Sequence, residues 1–93
     1  MSKSIMQVEG KDECCFICGQ WATETHHCIH GTAKRKLADQ DGLTVRLCST
    51  CHRNLHDKGN FDRELQRLAQ VRWMEYYERS EDEFRDRYGK SYL

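Results

Sequence analysis

A chain of 93 residues with only 38% hydrophobic residues forms one small domain with a thin core, which generally needs a metal, disulfides or oligomerisation for stability. Equal numbers of acidic and basic residues, 15 of each, exclude the strongly basic composition that by itself indicates nucleic-acid binding. No segment approaches the roughly 20 apolar residues of a membrane-spanning helix, and residues 1–10 lack the apolar run of a signal peptide. We therefore expect a soluble, cytoplasmic protein with no membrane partner, whose paired cysteines bind metal rather than form disulfides.

The first half of the chain predicts two metal knuckles joined by short strands. Residues 1–13 are polar and predict a flexible arm. A knuckle at Cys14–Gly19 is followed by a short strand or hairpin arm within Trp21–Ile29, and Gly31–Gly42 is predicted to be a polar connection without periodicity. Leu43–Leu47 alternates apolar and polar residues, as a half-buried strand does. This strand leads into the second knuckle.

The second half predicts three helices. A short helix begins at Thr50 or Cys51 and runs to about His56, ended by Lys58-Gly59. The longest helix, about Asp62 to Arg79, has Asn60 as its expected N-cap. Ser80-Glu81-Asp82-Glu83 forms a capping box for a last helix through Tyr88, ended by Gly89. The apolar stripe of the longest helix comprises Phe61, Leu65, Leu68, Ala69, Trp73, Tyr76 and Tyr77.

Four cysteines have the spacing of a structural zinc site. They are Cys15, Cys18, Cys48 and Cys51, two C-x2-C pairs that close a tetrahedral site without a histidine. Cys14 is also within ligand range of Cys18, but Cys15 makes the two knuckles alike. Cys14 and Cys28 are then ordinary buried or half-buried side chains. Because the second knuckle opens a helix, we predict a small α+β fold with a treble-clef core, residues 14–59, on which C-terminal helices, residues 60–93, pack.

All five histidines lie between the cysteines or just beyond them, which is the distribution expected of a second metal centre. Adjacent residues of a strand face opposite sides, so one of His26 and His27 binds metal while the other addresses substrate or water. His52 and His56 are four residues apart on a predicted helix and therefore face one ion together. His30 either touches metal or phosphate or lies at the surface.

The doublet His26-His27, a strand that ends in Leu47-Cys48-x-x-Cys51-His52, and then His56 resemble an HNH endonuclease. These are ββα-metal nucleases, here in the variant stiffened by four zinc-binding cysteines. The resemblance covers about Cys15 to His56. The C-terminal part, with Phe84, Tyr88-Gly89-Lys90 and Ser91-Tyr92-Leu93, resembles small phage-encoded HNH proteins, which implies the cytoplasm of a bacterial host as the location.

The resemblance implies a catalytic site of four histidines. It assigns His26, His52 and His56 to a catalytic divalent metal, Mg²⁺ or Mn²⁺, although three imidazoles also accept Ni²⁺, Co²⁺ or Zn²⁺. It assigns His27 as the general base, and an imidazole suits proton removal from water near pH 7. A backbone carbonyl is expected on its other ring nitrogen. The family's central asparagine has no counterpart in residues 39–43; Asp41 or a loop carbonyl are the alternatives.

Five residues are candidates for DNA contact. The basic cluster Lys34-Arg35-Lys36 contacts phosphate or is a solvated loop, and both alternatives stay open. Arg53 and Asn54 adjoin the metal-binding histidines, and Arg53 is the preferred phosphate contact. Trp21 and Trp73 are assigned to core packing rather than base stacking. Trp73, Tyr76 and Tyr77 are also candidates for a homodimer face, and a phage-encoded partner protein that supplies DNA affinity is an alternative.

The sequence therefore predicts a metal-dependent endonuclease that nicks or cleaves DNA. The rival interpretation is a non-catalytic zinc module that docks on DNA or protein and uses only the four cysteines. Such a module has no need of both the histidine doublet and the i, i+4 histidine pair.

Overall fold

The computed structural model describes residues 3–7 and 10–93, which form a small α+β fold with a two-stranded sheet and four helices. This agrees with the predicted fold class at that level. In chain order, the elements are β1 (Glu24–His27), α1 (Thr32–Asp41), β2 (Thr44–Leu47), α2 (Ser49–Lys58), α3 (Asp62–Tyr77) and α4 (Glu81–Tyr88). Within the described ranges, no helix is long and apolar enough to cross a membrane.

The two strands pair antiparallel and position the histidine doublet. His26 lies opposite Val45, and His27 lies opposite Thr44. Leu43, Val45 and Leu47 are all buried, as predicted, but Thr44, which was expected on the opposite face, is buried as well. The two-stranded sheet therefore packs on the core through these residues.

Helix α1 corrects the prediction of an irregular connection over Gly31–Gly42. Its only apolar contact residues are Leu37 and Ala38, of which Ala38 is completely buried. Alanine, lysine, arginine and leucine have high intrinsic helix propensity, and this burial adds the tertiary contact that a polar sequence pattern does not reveal. Gly42 ends the helix in the left-handed conformation, and a Cβ there would clash with the carbonyl oxygen of Lys3.

Helix α2 starts directly at the second knuckle, slightly earlier than predicted. Cys48 is its N-cap, and the Cys48 Sγ atom accepts a hydrogen bond from the backbone N–H of Cys51 at 3.4 Å. Gly59 ends it with φ of 72°, as expected of a C-terminal glycine. The last turn extends two residues beyond His56.

The two C-terminal helices agree with prediction at α4 and differ at the ends of α3. The capping box between Ser80 and Glu83 is formed in full. Asn60 is not the N-cap of α3; Phe61 holds that position in a left-handed conformation without a side-chain hydrogen bond. The helix ends at Tyr77 rather than Arg79, because Glu78 turns to φ of 52°.

The two tryptophans behave differently from each other. Trp73 is 5% exposed and packs against Phe84 with ring centroids 5.3 Å apart, so its core assignment is confirmed. The homodimer face stays a prediction. Trp21 is 68% exposed, so its core assignment is wrong. It follows the first knuckle, and the bridge from Cys14 to Trp21 is made by the backbone, leaving the indole outside.

Part of the segment predicted as a flexible arm packs against β2 and the turn before it. Met6 is buried, and the backbone N–H of Ile5 donates to the Gly42 carbonyl at 2.9 Å. The Gln7 side chain accepts a hydrogen bond from the backbone N–H of Arg46 at 3.1 Å. These contacts hold residues 4–7 against the turn between α1 and β2.

Candidate metal centres

The four cysteines of the two knuckles form one cluster. The Sγ atoms of Cys15, Cys18, Cys48 and Cys51 all lie within 4.8 Å of one another. The knuckles have the same local geometry, since the backbone N–H of the second cysteine donates to the Sγ of the first in each, at 3.5 Å in one and 3.4 Å in the other. Four thiols in this arrangement are suited to a structural metal such as zinc.

The thiols differ in how easily they lose a proton. Burial by itself raises the pKa of the Cys15 thiol, but hydrogen bonds from backbone N–H groups of the knuckles outweigh it and lower the pKa to about 6. Burial and the neighbouring thiols raise the pKa of Cys51. A metal must therefore displace protons on binding, as is usual for thiolate sites. Cys14 is half-buried outside the cluster, and Cys28 is fully buried in the core.

A second cluster brings together three histidines from β1 and α2. Ring nitrogens of His26, His52 and His56 lie within 4.8 Å of one another. The two Nε2 atoms of His52 and His56 are 3.0 Å apart, because one helical turn places both rings on the same face of α2. These are the three residues that the HNH resemblance assigns to a catalytic metal.

His26 is the buried member of this cluster. Its Nε2 atom is fully buried and has no hydrogen-bond partner among the described residues. Burial, followed by the proximity of His52 and His56, lowers the pKa of His26 to about 4. The ring is therefore neutral at pH 7 and has a nitrogen available for a metal ion. A buried polar atom without a partner is costly, and a metal ion would satisfy it.

A carboxylate orients His52, and sequence reasoning did not identify it. The Oε1 atom of Glu24 lies 2.5 Å from Nδ1 of His52. Since a carboxylate only accepts, Nδ1 carries the proton and the lone pair is on Nε2, the atom that faces His56. Metal-binding histidines commonly have such a carboxylate partner.

His27 faces a different helix from its neighbour. Its Nε2 atom lies 3.3 Å from Oδ1 of Asp39 on α1. The expected partner of this ring was a backbone carbonyl, and Asp41 was one candidate for ordering it. Asp41 instead points into the core, where its carboxylate accepts hydrogen bonds from Trp73 and Tyr88 and pairs with Arg87.

Two adjoining depressions meet at His27 and Arg35. The histidine cluster opens into a pocket of about 220 Å³. Its lining comprises Thr25, His26, His27, His30, Arg35, His52 and His56. A shallow groove of about 420 Å³ adjoins it, lined by His27 and one face of α1, namely Thr32, Arg35, Lys36 and Asp39. Both linings share His27 and Arg35.

Three of the five candidate DNA contacts do not line these depressions. Lys34 extends toward the end of α4, where its Cε atom lies 3.9 Å from the position of a Cβ on Gly89. Arg53 and Asn54 are on α2 but do not belong to either lining. His30 lines the pocket, and its Nε2 atom lies 3.0 Å from Oδ1 of Asp62. The roles of all these residues stay predictions.

The fold and its two clusters define a small α+β protein with a four-cysteine and a three-histidine candidate metal centre. The chain belongs to the family described as "Protein of unknown function (DUF968)", which it matches over residues 6–76. That range includes both knuckles and all five histidines. No curated protein matches the chain. No solved structure matches it either.

Proposed function

We propose that this protein is an HNH-type endonuclease that hydrolyses DNA phosphodiester bonds with the help of a divalent metal ion. The core would be a treble clef, or ββα-metal unit, in which zinc on the four cysteines holds the two knuckles together. The single observation that carries the proposal is the histidine cluster, in which the buried ring of His26, whose Nε2 atom has no hydrogen-bond partner, meets His52 and His56.

In this proposal, His26, His52 and His56 hold the catalytic metal. A divalent cation there would supply positive charge next to the scissile phosphate, where it stabilises the charge that develops on the leaving oxygen. Mg²⁺ or Mn²⁺ is the expected ion, although three imidazoles favour Ni²⁺, Co²⁺ or Zn²⁺ over these harder cations. His27 takes the proton from the attacking water as general base.

The DNA backbone would follow the two depressions that meet at His27. Arg35 lines both of them and is exposed, so its guanidinium can contact the phosphate beside the scissile bond. Lys36 lines the groove and would contact the next phosphate. Two basic side chains give only weak affinity for DNA. A second copy of this chain or a phage-encoded partner protein would then contribute further DNA binding.

A docking module that uses only the four cysteines accounts for less of the molecule. It gives no reason for the unpartnered Nε2 atom of His26 or for the carboxylate that orients His52. Metal stoichiometry separates the two functions: the nuclease binds one tight zinc and one exchangeable ion, and the module binds one zinc.

Cleavage of supercoiled plasmid by wild type, His27→Ala and His52→Ala tests the proposal. Each protein is assayed with EDTA, Mg²⁺, Mn²⁺ and Ni²⁺. We expect metal-dependent nicking by wild type and a loss of at least about 100-fold in His27→Ala, since general-base catalysis contributes 10²–10⁴-fold. Both variants should lose cleavage, but only His52→Ala should lose the exchangeable metal.

The control is that all three proteins retain one zinc and the same far-UV circular dichroism. If zinc-loaded wild type cleaves no plasmid with any of these metals, the nuclease proposal is wrong and the docking module becomes the better hypothesis.

A further inference from the structure

The carboxylate of Asp39 faces the ring of His27 across the groove between β1 and α1. The distance between Oδ1 and Nε2 is 3.3 Å, and the side chains are 35% and 14% exposed. The pair is therefore partly shielded from water, which strengthens a hydrogen bond between a carboxylate and an imidazole.

This contact determines which ring nitrogen of His27 carries the proton. An ionised carboxylate has no proton to donate, so Nε2 must be the N–H donor in the neutral ring. The lone pair of His27 is then on Nδ1, the nitrogen that can accept a proton from water. Without such a partner, a neutral imidazole exchanges between its two tautomers and spends part of its time with Nδ1 protonated.

Of the two acidic residues near the end of α1, Asp39 contacts His27, whereas Asp41 makes its hydrogen bonds in the core. The Asp41 carboxylate accepts hydrogen bonds from Trp73 Nε1 at 2.9 Å and from the Arg87 guanidinium at 2.6 and 2.8 Å. Asp39 instead lies on the face of α1 that lines the groove, one turn beyond Arg35.

We infer that Asp39 is the positioning residue of the general base: it fixes His27 in the Nε2–H tautomer and aims Nδ1 at the attacking water. The inference rests on the proposed nuclease function and deepens it. It supplies an ordering group in the stretch, residues 39–43, where the family has its central asparagine and this chain has none. Asp39 acts through His27 and does not itself touch the substrate.

The tautomer is measured directly by ¹⁵N NMR of histidine-labelled, zinc-loaded protein at a pH where the ring is neutral. The His27 signals are assigned by their loss in His27→Ala. In wild type we expect an N–H type shift for Nε2 and a lone-pair type shift for Nδ1. In Asp39→Ala the two shifts should move toward each other as the tautomers mix. Asp39→Asn should lie between, since its amide oxygen accepts the hydrogen bond without the charge.

Cleavage kinetics give the second measurement. We expect Asp39→Ala to lower kcat by at least about 10-fold, because His27 loses the carboxylate that orients its ring, with little change in KM. Asp57→Asn is the control, because it removes one negative charge from an exposed position on α2. It should leave both kcat and the His27 shifts unchanged.

The two proposals fail in different ways. Identical His27 shifts in wild type and Asp39→Ala overturn the inference, whatever the activity. Equal losses of kcat in Asp39→Ala and Asp57→Asn also overturn it, because they indicate a general charge effect. If the His27 shifts change in Asp39→Ala but wild type cleaves no DNA, the nuclease function is wrong, while the role of Asp39 in orienting His27 is retained.

Discussion

Cys51 and His52 are adjacent residues in the first turn of α2, and they face two different clusters. Cys51 belongs to the four-cysteine cluster, while the His52 ring meets His26 and His56. One short helix therefore connects the candidate structural metal to the candidate catalytic metal. The position of the histidines depends on the knuckle at which their helix begins.

We predict that loss of the structural metal abolishes the histidine site. Cys48→Ser removes a proposed zinc ligand, while the serine hydroxyl can still accept the hydrogen bond from the backbone N–H of Cys51 that caps α2. In small zinc domains, the free energy of zinc binding, about 10–16 kcal/mol, stabilises the folded state. We therefore expect the variant to lose most of its helical circular dichroism. It should also lose Ni²⁺ binding, although all five histidines are present. Cys14→Ser is the matched control and should keep both properties. A folded Cys48→Ser protein that binds Ni²⁺ normally would contradict this prediction.

The contact between Glu24 and His52 predicts an effect on the second metal alone. Glu24→Gln replaces a carboxylate 2.5 Å from the His52 ring by a neutral amide. The tautomer with its lone pair on Nε2 is then favoured less, so affinity for Mn²⁺ or Ni²⁺ should fall by about 10- to 100-fold. Isothermal titration calorimetry on zinc-loaded protein measures this affinity. Glu64→Gln, at an exposed position of α3, should have no effect, and equal affinities for all three proteins would exclude an orienting role for Glu24.

The stability of the fold depends on Asp41 rather than on Asp39. Asp41 is buried, and its carboxylate accepts hydrogen bonds from Trp73, Tyr88 and Arg87 on α3 and α4. Asp41→Ala leaves these donors without a partner, and we expect the free energy of unfolding to fall by about 3 kcal/mol, a typical cost of breaking a buried ion pair. Urea denaturation of zinc-loaded protein measures the change. Asp39→Ala should lower the free energy of unfolding by less than about 1 kcal/mol, because its contact is partly exposed. Similar losses of stability in the two variants would contradict the prediction that Asp41 is the structural residue.

The features that the sequence predicted best have strict local spacing. The C-x2-C pairs, the i, i+4 histidines and the capping box at Ser80 are defined by a few neighbouring residues, and each forms as expected. The burial of Leu43, Val45 and Leu47 follows equally from strand alternation.

The features that were missed depend on tertiary contacts. Helix α1 is polar, and its apolar contact with the core is limited to Leu37 and Ala38. A signal was nevertheless present, since Thr32, Arg35, Lys36 and Asp39 have the i, i+3, i+4, i+7 spacing of one helix face and together line the groove. Glu24 and Asp39 pair with histidines distant in sequence. The exposure of Trp21 was missed because large aromatics are usually buried.

The different surroundings of Lys34 and Arg35 give the prediction that tests the DNA path. Arg35 lines both depressions beside His27, whereas Lys34 extends toward Gly89 at the end of α4. Each phosphate contact that is lost should reduce the slope of log K against log salt by about 1. We therefore expect Arg35→Ala to weaken DNA binding and reduce this slope, while Lys34→Ala, which removes the same charge one residue away, changes neither. Fluorescence anisotropy with labelled DNA in Ca²⁺, over a series of salt concentrations, measures both quantities.

Equal changes in Arg35→Ala and Lys34→Ala would mean that the charge of α1 acts only at long range. A change in Lys34→Ala alone would place the DNA on the α4 side of the helix.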